Sequence, residues 1–400
     1  MQLQMTKLIL ALTVGGLLSA CGSSKIEQSP DKMVRAGMQR MMKEDNQYNF
    51  SGTLKLDVPN QVNADIADKN SDVIEHNASD AFDVDLDSNS DEEAGVADER
   101  DFYKKQMKSL NRVLNLLSKS FTIPFTGAVD MPKGRVEVIP ELRYENKNAL
   151  VSYKFPTYID FNNLAVYVDA SAITNISDIM NEQSNPTRVV GDRYLQVAVP
   201  QERLVHLPVE DLLKSLPKSV DDGYAAMDAN AFTKVDVDEF GKNLEAKYQV
   251  RLNSNYAMSL KYDIAMLKSI SESLKQAAAK AGSDSKYQPQ DYAVLQNVVD
   301  GLTAIYTGDD NDRSGVPAAY FIQQLKNNSS PIIYNFYLDS KGRITGMRTE
   351  MEIPLEKVKE FKQAIKMDYR IKFDYTGSPK FTMQPTPQNS VNIGSSLGLF

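Results

Sequence analysis

The sequence predicts an α+β fold: one large, curved and mainly antiparallel sheet with helices packed on one face, in a half-barrel-like arrangement. Three observations support this expectation. Several stretches alternate apolar and polar residues, which is typical of strands with one buried and one wet face. Short connections join these stretches and favour an antiparallel meander. Helical patterns are inserted at two places rather than between successive strands, which distinguishes α+β from α/β folds.

The folded part is expected to begin with a helix over residues 31–46. Ser29 and Pro30 suit the N-cap and the first helical position. The strand that follows is predicted at 48–58, where apolar and polar residues alternate without a break. The apolar side of the helix is formed by Val34, Met38, Met41 and Met42.

Residues 62–101 interrupt this pattern with an acidic segment. Fourteen acidic residues stand against Lys69 and Arg100, a net charge of −12 in forty residues. Apolar residues are too sparse there to build a core, so we expect a disordered insertion. A helix at 101–119 is expected next, with an apolar stripe of Leu110, Val113, Leu114 and Leu117.

The remaining elements follow from the same two periodicities. Five strands are expected in close succession, at 121–131, 135–144, 149–155, 164–168 and 194–199. The middle is mostly helical, at 209–216, 260–281 and 291–306, with one strand at 248–252. The last elements are strands at 332–338, 344–353 and 369–375, a turn at 339–342, and a helix from Pro354 that includes Val358, Phe361 and Ile365.

The predicted domain organisation is simple. Residues 31–383 form a single α+β domain, and the alternative is a two-lobed arrangement with a break near 200–240. Residues 384–400 are expected to be a flexible tail. Residues 1–20 are predicted to be a signal peptide and residues 21–30 a polar tether.

The first 21 residues have the features of a signal peptide that ends before a cysteine. Lys7 precedes an apolar run over residues 8–18, shorter than the roughly 20 residues that span a bilayer, and therefore typical of a signal peptide. The sequence Leu18-Ser19-Ala20-Cys21 resembles the bacterial lipobox, which implies cleavage before Cys21 and its acylation with a diacylglyceryl group. Two alkyl chains are needed because one anchors only marginally. The alternative is an ordinary secretory signal with a stray cysteine, although Cys21 is the only cysteine in the chain.

Lipidation of Cys21 implies a location outside the cytoplasm. Gly22, rather than aspartate, follows the cysteine and favours the outer membrane, facing the periplasm, in a diderm host. In a monoderm host the anchor would lie in the cell membrane. No thiol remains for disulfides, catalysis or a metal site once Cys21 is acylated.

Candidate catalytic residues are few, and we predict no catalytic residue. The histidines are His76, inside the acidic segment, and His206 in a loop, and no Gly-x-Ser-x-Gly motif accompanies them. Ser-x-x-Lys occurs three times, without the Lys-Thr-Gly motif that a penicillin-recognising enzyme requires. These pairs are Ser29/Lys32, Ser215/Lys218 and Ser283/Lys286.

No metal site, cofactor or nucleic-acid partner is predicted either. Residues 83–91 resemble the start of an EF-hand loop, but Ser88 replaces its glycine and Ala94 its bidentate glutamate. There is no phosphate-binding glycine loop, no zinc cluster and no basic stripe.

The order of elements resembles the half-barrel carriers of bacterial envelopes, the LolA and LppX/LprG-like proteins. The match consists of the helix at 31–46, the strand at 48–58, the meander, the helical middle and the late strands, and it covers about residues 31–390. The closing stretch from 373–377 to 385–390 is also similar. The acidic insertion and the extended helical middle depart from this pattern.

The resemblance implies an apolar ligand cavity between the sheet and the helices. We therefore expect a non-enzymatic, membrane-anchored envelope lipoprotein that binds an acyl chain or another apolar ligand. The sixteen methionines suit varied apolar partners, although ordinary core filling explains any one of them as well. The first alternative is a structural or assembly lipoprotein that contacts other envelope proteins. A hydrolase that uses His206 is the second.

Overall fold

The computed structural model describes residues 28–57, 121–145, 148, 150–169, 171, 193–307, 330–354 and 364–393. Within these ranges the strands are β1 Gln47–Asp57, β2 Phe121–Asp130, β3 Arg135–Glu145, β4 Leu150–Lys154, β5 Thr157–Asp160, β6 Ala165–Val168, β7 Tyr194–Ala198, β8 Phe232–Val235, β9 Tyr248–Asn255, β10 Pro331–Leu338, β11 Ile344–Pro354, β12 Ala364–Asp374 and β13 Ser390–Asn392. They form one open sheet in the order β13-β7-β6-β5-β3-β2-β1-β12-β11-β10-β9-β8, with β4 beside β3. The predicted α+β class is confirmed.

The helices in these ranges lie mainly against one face of the sheet, here called the inner face. They are α1 Pro30–Lys43, α2 Gln201–Leu204, α3 Val209–Ala225, α4 Glu239–Asn243, α5 Tyr256–Lys280 and α6 Pro289–Thr307. Helix α1 packs on β8, β9 and β11, while α3, α5 and α6 pack on one another. The short helix α4 differs, because Gly241 within it packs against Tyr337, whose side chain points away from the inner face.

Helix α1 forms where the sequence predicts it because Pro30 fixes the first turn and the apolar residues recur at helical spacing. Val34 is fully buried in the main core. Gly37 allows the helix to approach the sheet closely, since a Cβ there would lie 2.8 Å from Cγ1 of Ile344. Arg35 holds α1 against α3 through two 2.7 Å hydrogen bonds to the carboxylate of Asp221.

Two strand glycines accommodate aromatic rings at the centre of the sheet. Gly52 pairs with Phe125, and Phe50 pairs with Gly127 on the neighbouring strand. A Cβ at Gly52 would lie 2.2 Å from both the Phe125 ring and the carbonyl oxygen of Arg370. Glycines inside strands weaken local pairing and allow bends, and a ring placed over each glycine restores the packing.

The chain crosses the whole sheet in its helical middle. Strand β7 lies near one end of the sheet, whereas β8, the next strand in sequence, forms the opposite edge. Helices α2 and α3 make this crossing, in the region where the sequence suggests a break near 200–240. One continuous sheet nevertheless joins the strands on both sides of that region.

The C-terminal strap, residues 376–389, crosses the outer face and leads into β13. The backbone N–H of Lys380 donates to Oδ1 of Asn49. Strand β13 then pairs in parallel with β7. The predicted flexible tail at 384–400 is therefore wrong for residues 390–392, because backbone pairing with an otherwise open edge orders them. Residues 394–400 lie outside the described part.

Other boundaries also differ from the prediction. Strands β5 and β8, of four residues each, are absent from the prediction. Helix α3 continues to Ala225 rather than ending at residue 216, with Pro217 inside it. The helix predicted from Pro354 is wrong at both ends, because Pro354 pairs with Ala364 and Ile353 with Ile365 in a β-hairpin.

Candidate functional site: the inner face of the sheet

His206, the only histidine that the described ranges contain, lies in the turn after α2. Its side chain is 67% exposed, and its Nδ1 is 3.5 Å from Oδ1 of Asp291. A general base works best in a site that positions it against substrate and excludes water. The structure gives His206 a surface position.

The Ser-x-x-Lys pairs are equally ordinary in the structure. The hydroxyl of Ser215 donates to the carbonyl oxygen of Leu212 at 2.6 Å, inside helix α3. Lys218 forms an ion pair with Asp222 on the same helix. The serines of the other two pairs, Ser29 and Ser283, are exposed.

Several predicted features lie outside the described residues: the signal peptide with Cys21, the acidic segment at 62–101 with His76 and residues 83–91, and the helix at 101–119. Within the described ranges, no three side chains of His, Cys, Asp or Glu are placed to hold a metal ion. None of the helices described here is long and apolar enough to cross a membrane.

The strand registers place the inner-face side chains in rows that cross the sheet. One row, here called the tyrosine row, runs from β9 to β2 through paired residues: Leu252, Tyr334, Thr349, Tyr369, Leu54 and Ile123. A second, here called the valine row, runs from β1 to β7: Tyr48, Val129, Val136, Ile159, Val166 and Val197.

The residues of the valine row differ in exposure. Val129 is 7% exposed, whereas Val166 is 38% exposed. Val166 belongs to β6, which has neighbours on both sides, so its exposure comes from the open face and not from a sheet edge. Val136, Ile159 and Val197 are part-buried. The sheet therefore presents an apolar surface beyond the part that the helices cover.

The tyrosine row is largely apolar but carries three hydroxyl groups, those of Tyr334, Thr349 and Tyr369. The ring of Tyr369 stacks on Phe125, with centroids 5.2 Å apart and planes within 6°. The hydroxyl of Tyr334 lies 3.4 Å from Oγ of Ser259 on α5. Burial raises the pKa of both Tyr334 and Tyr369. Both hydroxyls thus remain neutral and available for hydrogen bonding.

Among the described residues, Asp263 on α5 is the carboxylate whose charge acts on Tyr334 of this row. It lies one helical turn after Ser259, on the same side of the helix. Its charge contributes to raising the pKa of Tyr334 and of Tyr262, for which burial is the main cause and the pKa reaches about 12. Burial also raises the pKa of the Asp263 carboxyl. An acidic group is thus placed beside aromatic rings at the border between α5 and the sheet.

No protein-family model, curated protein or solved structure matches this chain. The chemistry of the site therefore has to be argued from its own residues.

Neither the valine row nor the position of Asp263 was predicted from the sequence. The valine row depends on the register between β1 and β7, which a single strand pattern does not determine. Asp263 had a detectable signal, because it interrupts the apolar stripe that includes Leu260, Leu267 and Leu274. A charge within such a stripe is uncommon unless it is paired or functional.

Proposed function

We propose that this protein is a non-enzymatic envelope lipoprotein, anchored through Cys21, that binds an acyl chain or another apolar ligand on the inner face of its sheet. The proposed location is outside the cytoplasm, in the outer membrane facing the periplasm or, in a monoderm host, in the cell membrane. The valine row carries the proposal, because Val166 remains 38% exposed although strands pair with β6 on both sides.

The physical argument concerns apolar area. Sites for apolar ligands are concave and lined mostly by aliphatic and aromatic side chains, with a few polar groups. Both rows fit that description. Each ligand methylene that leaves water contributes about 0.8 kcal/mol, so an acyl chain along several strands would be held without any strong polar contact.

The binding test uses an uncharged fluorescent probe, N-phenylnaphthylamine, whose emission increases in apolar surroundings. Val166→Asp should abolish most of the increase, because it places a charge on the valine row. Val205→Asp is the matched control, since Val205 is 55% exposed and lies in the turn after α2. Equal probe binding by the wild type and both variants would contradict an inner-face site.

Two further measurements test the ligand and the anchor. Organic extraction of the purified protein followed by mass spectrometry should recover a lipid in stoichiometric amount. Consistent absence of lipid, together with no probe binding, would reject the carrier function. Labelling of cells with radioactive palmitate should mark the wild type and not Cys21→Ser, and unlabelled wild type would reject the anchor.

A structural or assembly role is the second candidate, and one observation favours it. Helix α6 exposes three apolar side chains spaced four residues apart, Val294 at 51%, Val298 at 56% and Leu302 at 43%. A photo-crosslinking residue at position 298 would capture an envelope protein in intact cells if this role is correct, and the same residue at position 205 would not. No adduct at position 298 would exclude this stripe as the contact.

A further inference from the structure

Strand β4 has one edge with which no described strand pairs. Its five residues pair with the last part of β3, whereas the first part of β3 pairs with β5. Strand β6, the other neighbour of β5, ends at Val168 opposite Thr157 and does not reach β4. Leu150 is 63% exposed and Val151 is 42% exposed, so the second edge of β4 is both apolar and accessible.

The backbone groups along this edge alternate in direction. The N–H of Phe155, one residue after β4, donates to the carbonyl oxygen of Pro140 on β3 at 3.0 Å. In an antiparallel ladder, residues that bond to one neighbour alternate with residues whose N–H and C=O point to the other side. The N–H and C=O groups of Leu150, Ser152 and Lys154 therefore point away from β3. Such a row of groups is a template for another strand.

The two outermost strands of the sheet are better protected against such pairing. Strand β8 has four residues, one of which is the exposed Lys234, and helix α1 packs on it. Strand β13 has only three residues. Short strands and lysine side chains are common means of preventing edge pairing. Strand β4 is longer and begins with two exposed apolar residues, with its lysine at the last position.

We propose that β4 pairs with β4 of a second copy of this chain, in an antiparallel ladder whose two-fold axis passes through Ser152. In this register Val151 faces Tyr153 of the other copy, and Leu150 faces Lys154. It is the register that pairs all five residues of the strand, and each outward N–H then faces an outward C=O. Two-fold symmetric dimers are the commonest homo-oligomers. The dimer requires neither a ligand nor the lipid anchor.

This pairing joins the inner faces of the two copies. Tyr153 pairs with Leu142, which lies six residues after Val136 of the valine row and therefore on the inner face. Val151, two residues from Tyr153, lies on the same face. Opposite residues without mutual hydrogen bonds bring their side chains closest, and a pair of an aromatic and a β-branched residue stabilises a ladder. Two such pairs form an apolar patch that spans the dimer.

A single thiol at the two-fold axis tests the register. In a Cys21→Ser background the introduced thiol is the only one in the chain. Ser152→Cys should then form disulfide-linked dimers on mild oxidation, because its two Cα atoms lie about 5.5 Å apart in the dimer. Leu150→Cys is the matched control on the same strand, because its two Cα atoms lie about 14 Å apart. Equal crosslinking of the two variants, or none of Ser152→Cys, overturns the proposal.

The oligomeric state is an independent measurement. In density-matched detergent, the purified full chain should sediment with the mass of two copies at about 100 µM, a high concentration because a five-residue ladder is a small interface. Ser152→Pro should sediment as a monomer, because proline removes an N–H that points to the second copy and not one that bonds to β3. A wild type that stays monomeric leaves the edge to a strand of another protein and overturns the proposal, as does a dimeric Ser152→Pro.

Ser283→Pro is the matched control for the proline. Ser283 is exposed, and the N–H of Ser285 donates to the carbonyl oxygen of Gly282, so residue 283 is the second position of a turn, where proline fits. This variant should remain dimeric. If Ser152→Pro fails to fold, the comparison of Ser152→Cys with Leu150→Cys decides between a dimer and an unpaired edge.

Discussion

The buried carboxylate of Glu137 holds the C-terminal strap on the outer face, and its removal should free the strap. Glu137 is fully buried on β3. It accepts hydrogen bonds from the backbone N–H of Thr382, at 2.9 Å, and of Met383, at 2.6 Å. The Thr382 hydroxyl donates to the same carboxylate at 3.1 Å. Glu137→Ala deletes the acceptor of all three donors at once.

The magnitude follows from which of these donors can reach water. Met383 is 3% exposed, so its N–H is left without an acceptor, at a cost of about 1–3 kcal/mol. Thr382 is exposed and its groups can bond to water instead, so they add little. The expected loss of unfolding free energy is therefore about 1–3 kcal/mol.

The assay is urea unfolding followed by tyrosine fluorescence, with amide exchange of residues 380–393 as a local readout. Glu352→Ala is the matched control, because that strand glutamate is 46% exposed and its carboxylate is 3.7 Å from Nζ of Lys366. A surface pair of this kind contributes about 0–1 kcal/mol. The reasoning fails if both variants lose the same stability and the strap amides of Glu137→Ala exchange as slowly as in the wild type.

Two further variants test the energetics of the inner face. Burial raises the pKa of Asp263, so folding disfavours the ionised form of its carboxyl. Asp263→Asn should therefore raise the melting temperature at about pH 7. The gain should disappear near pH 3, because the carboxyl is protonated there in both the folded and the unfolded chain. A gain in melting temperature that grows on acidification would contradict this pH dependence. Gly52→Ala should prevent stable folding, because its Cβ would lie 2.2 Å from the carbonyl oxygen of Arg370. Gly282→Ala is the control, because a Cβ there would have nothing within 4 Å, and its thermal unfolding should match that of the wild type. Similar melting temperatures for the two alanine variants would refute the steric argument.

Apolar and polar residues alternate at 48–58 and 135–144, and this alternation places β1 and β3 within one or two residues of their observed bounds. The prediction succeeds there because the local pattern and the strand pairing of the fold favour the same structure. The same reasoning placed Pro354 and Ile365 in a helix, whereas both belong to strands. The backbone register pairs Ile353 with Ile365, so both residues lie in strands. A local sequence pattern does not show which distant residues pair across a sheet.

The environments of two acidic residues, Glu137 and Asp263, are also difficult to predict from the sequence. Glu137 belongs to the polar side of β3, and its pattern indicates a solvated residue. It is buried because residues 382–383, far away in sequence, fold over it. Asp263 interrupts an apolar stripe in the sequence itself, but whether a described residue pairs with it depends on how α5 packs in the fold. Long-range contacts, and not local propensity, decide both cases.

The pairing of β1 with β12 has a consequence for how the chain folds. These strands occupy the centre of the sheet, and their paired residues, such as Phe50 and Phe373, come from the two ends of the sequence. The central seam cannot close until β12 has been synthesised, so folding depends on contacts of very high sequence separation and should be slow. Before closure, the sheet consists of two halves that expose the unpaired edges of β1 and β11, which are surfaces prone to aggregation. A chain truncated before β12 would keep those edges permanently, and chaperone capture of such a fragment is the expected cellular outcome.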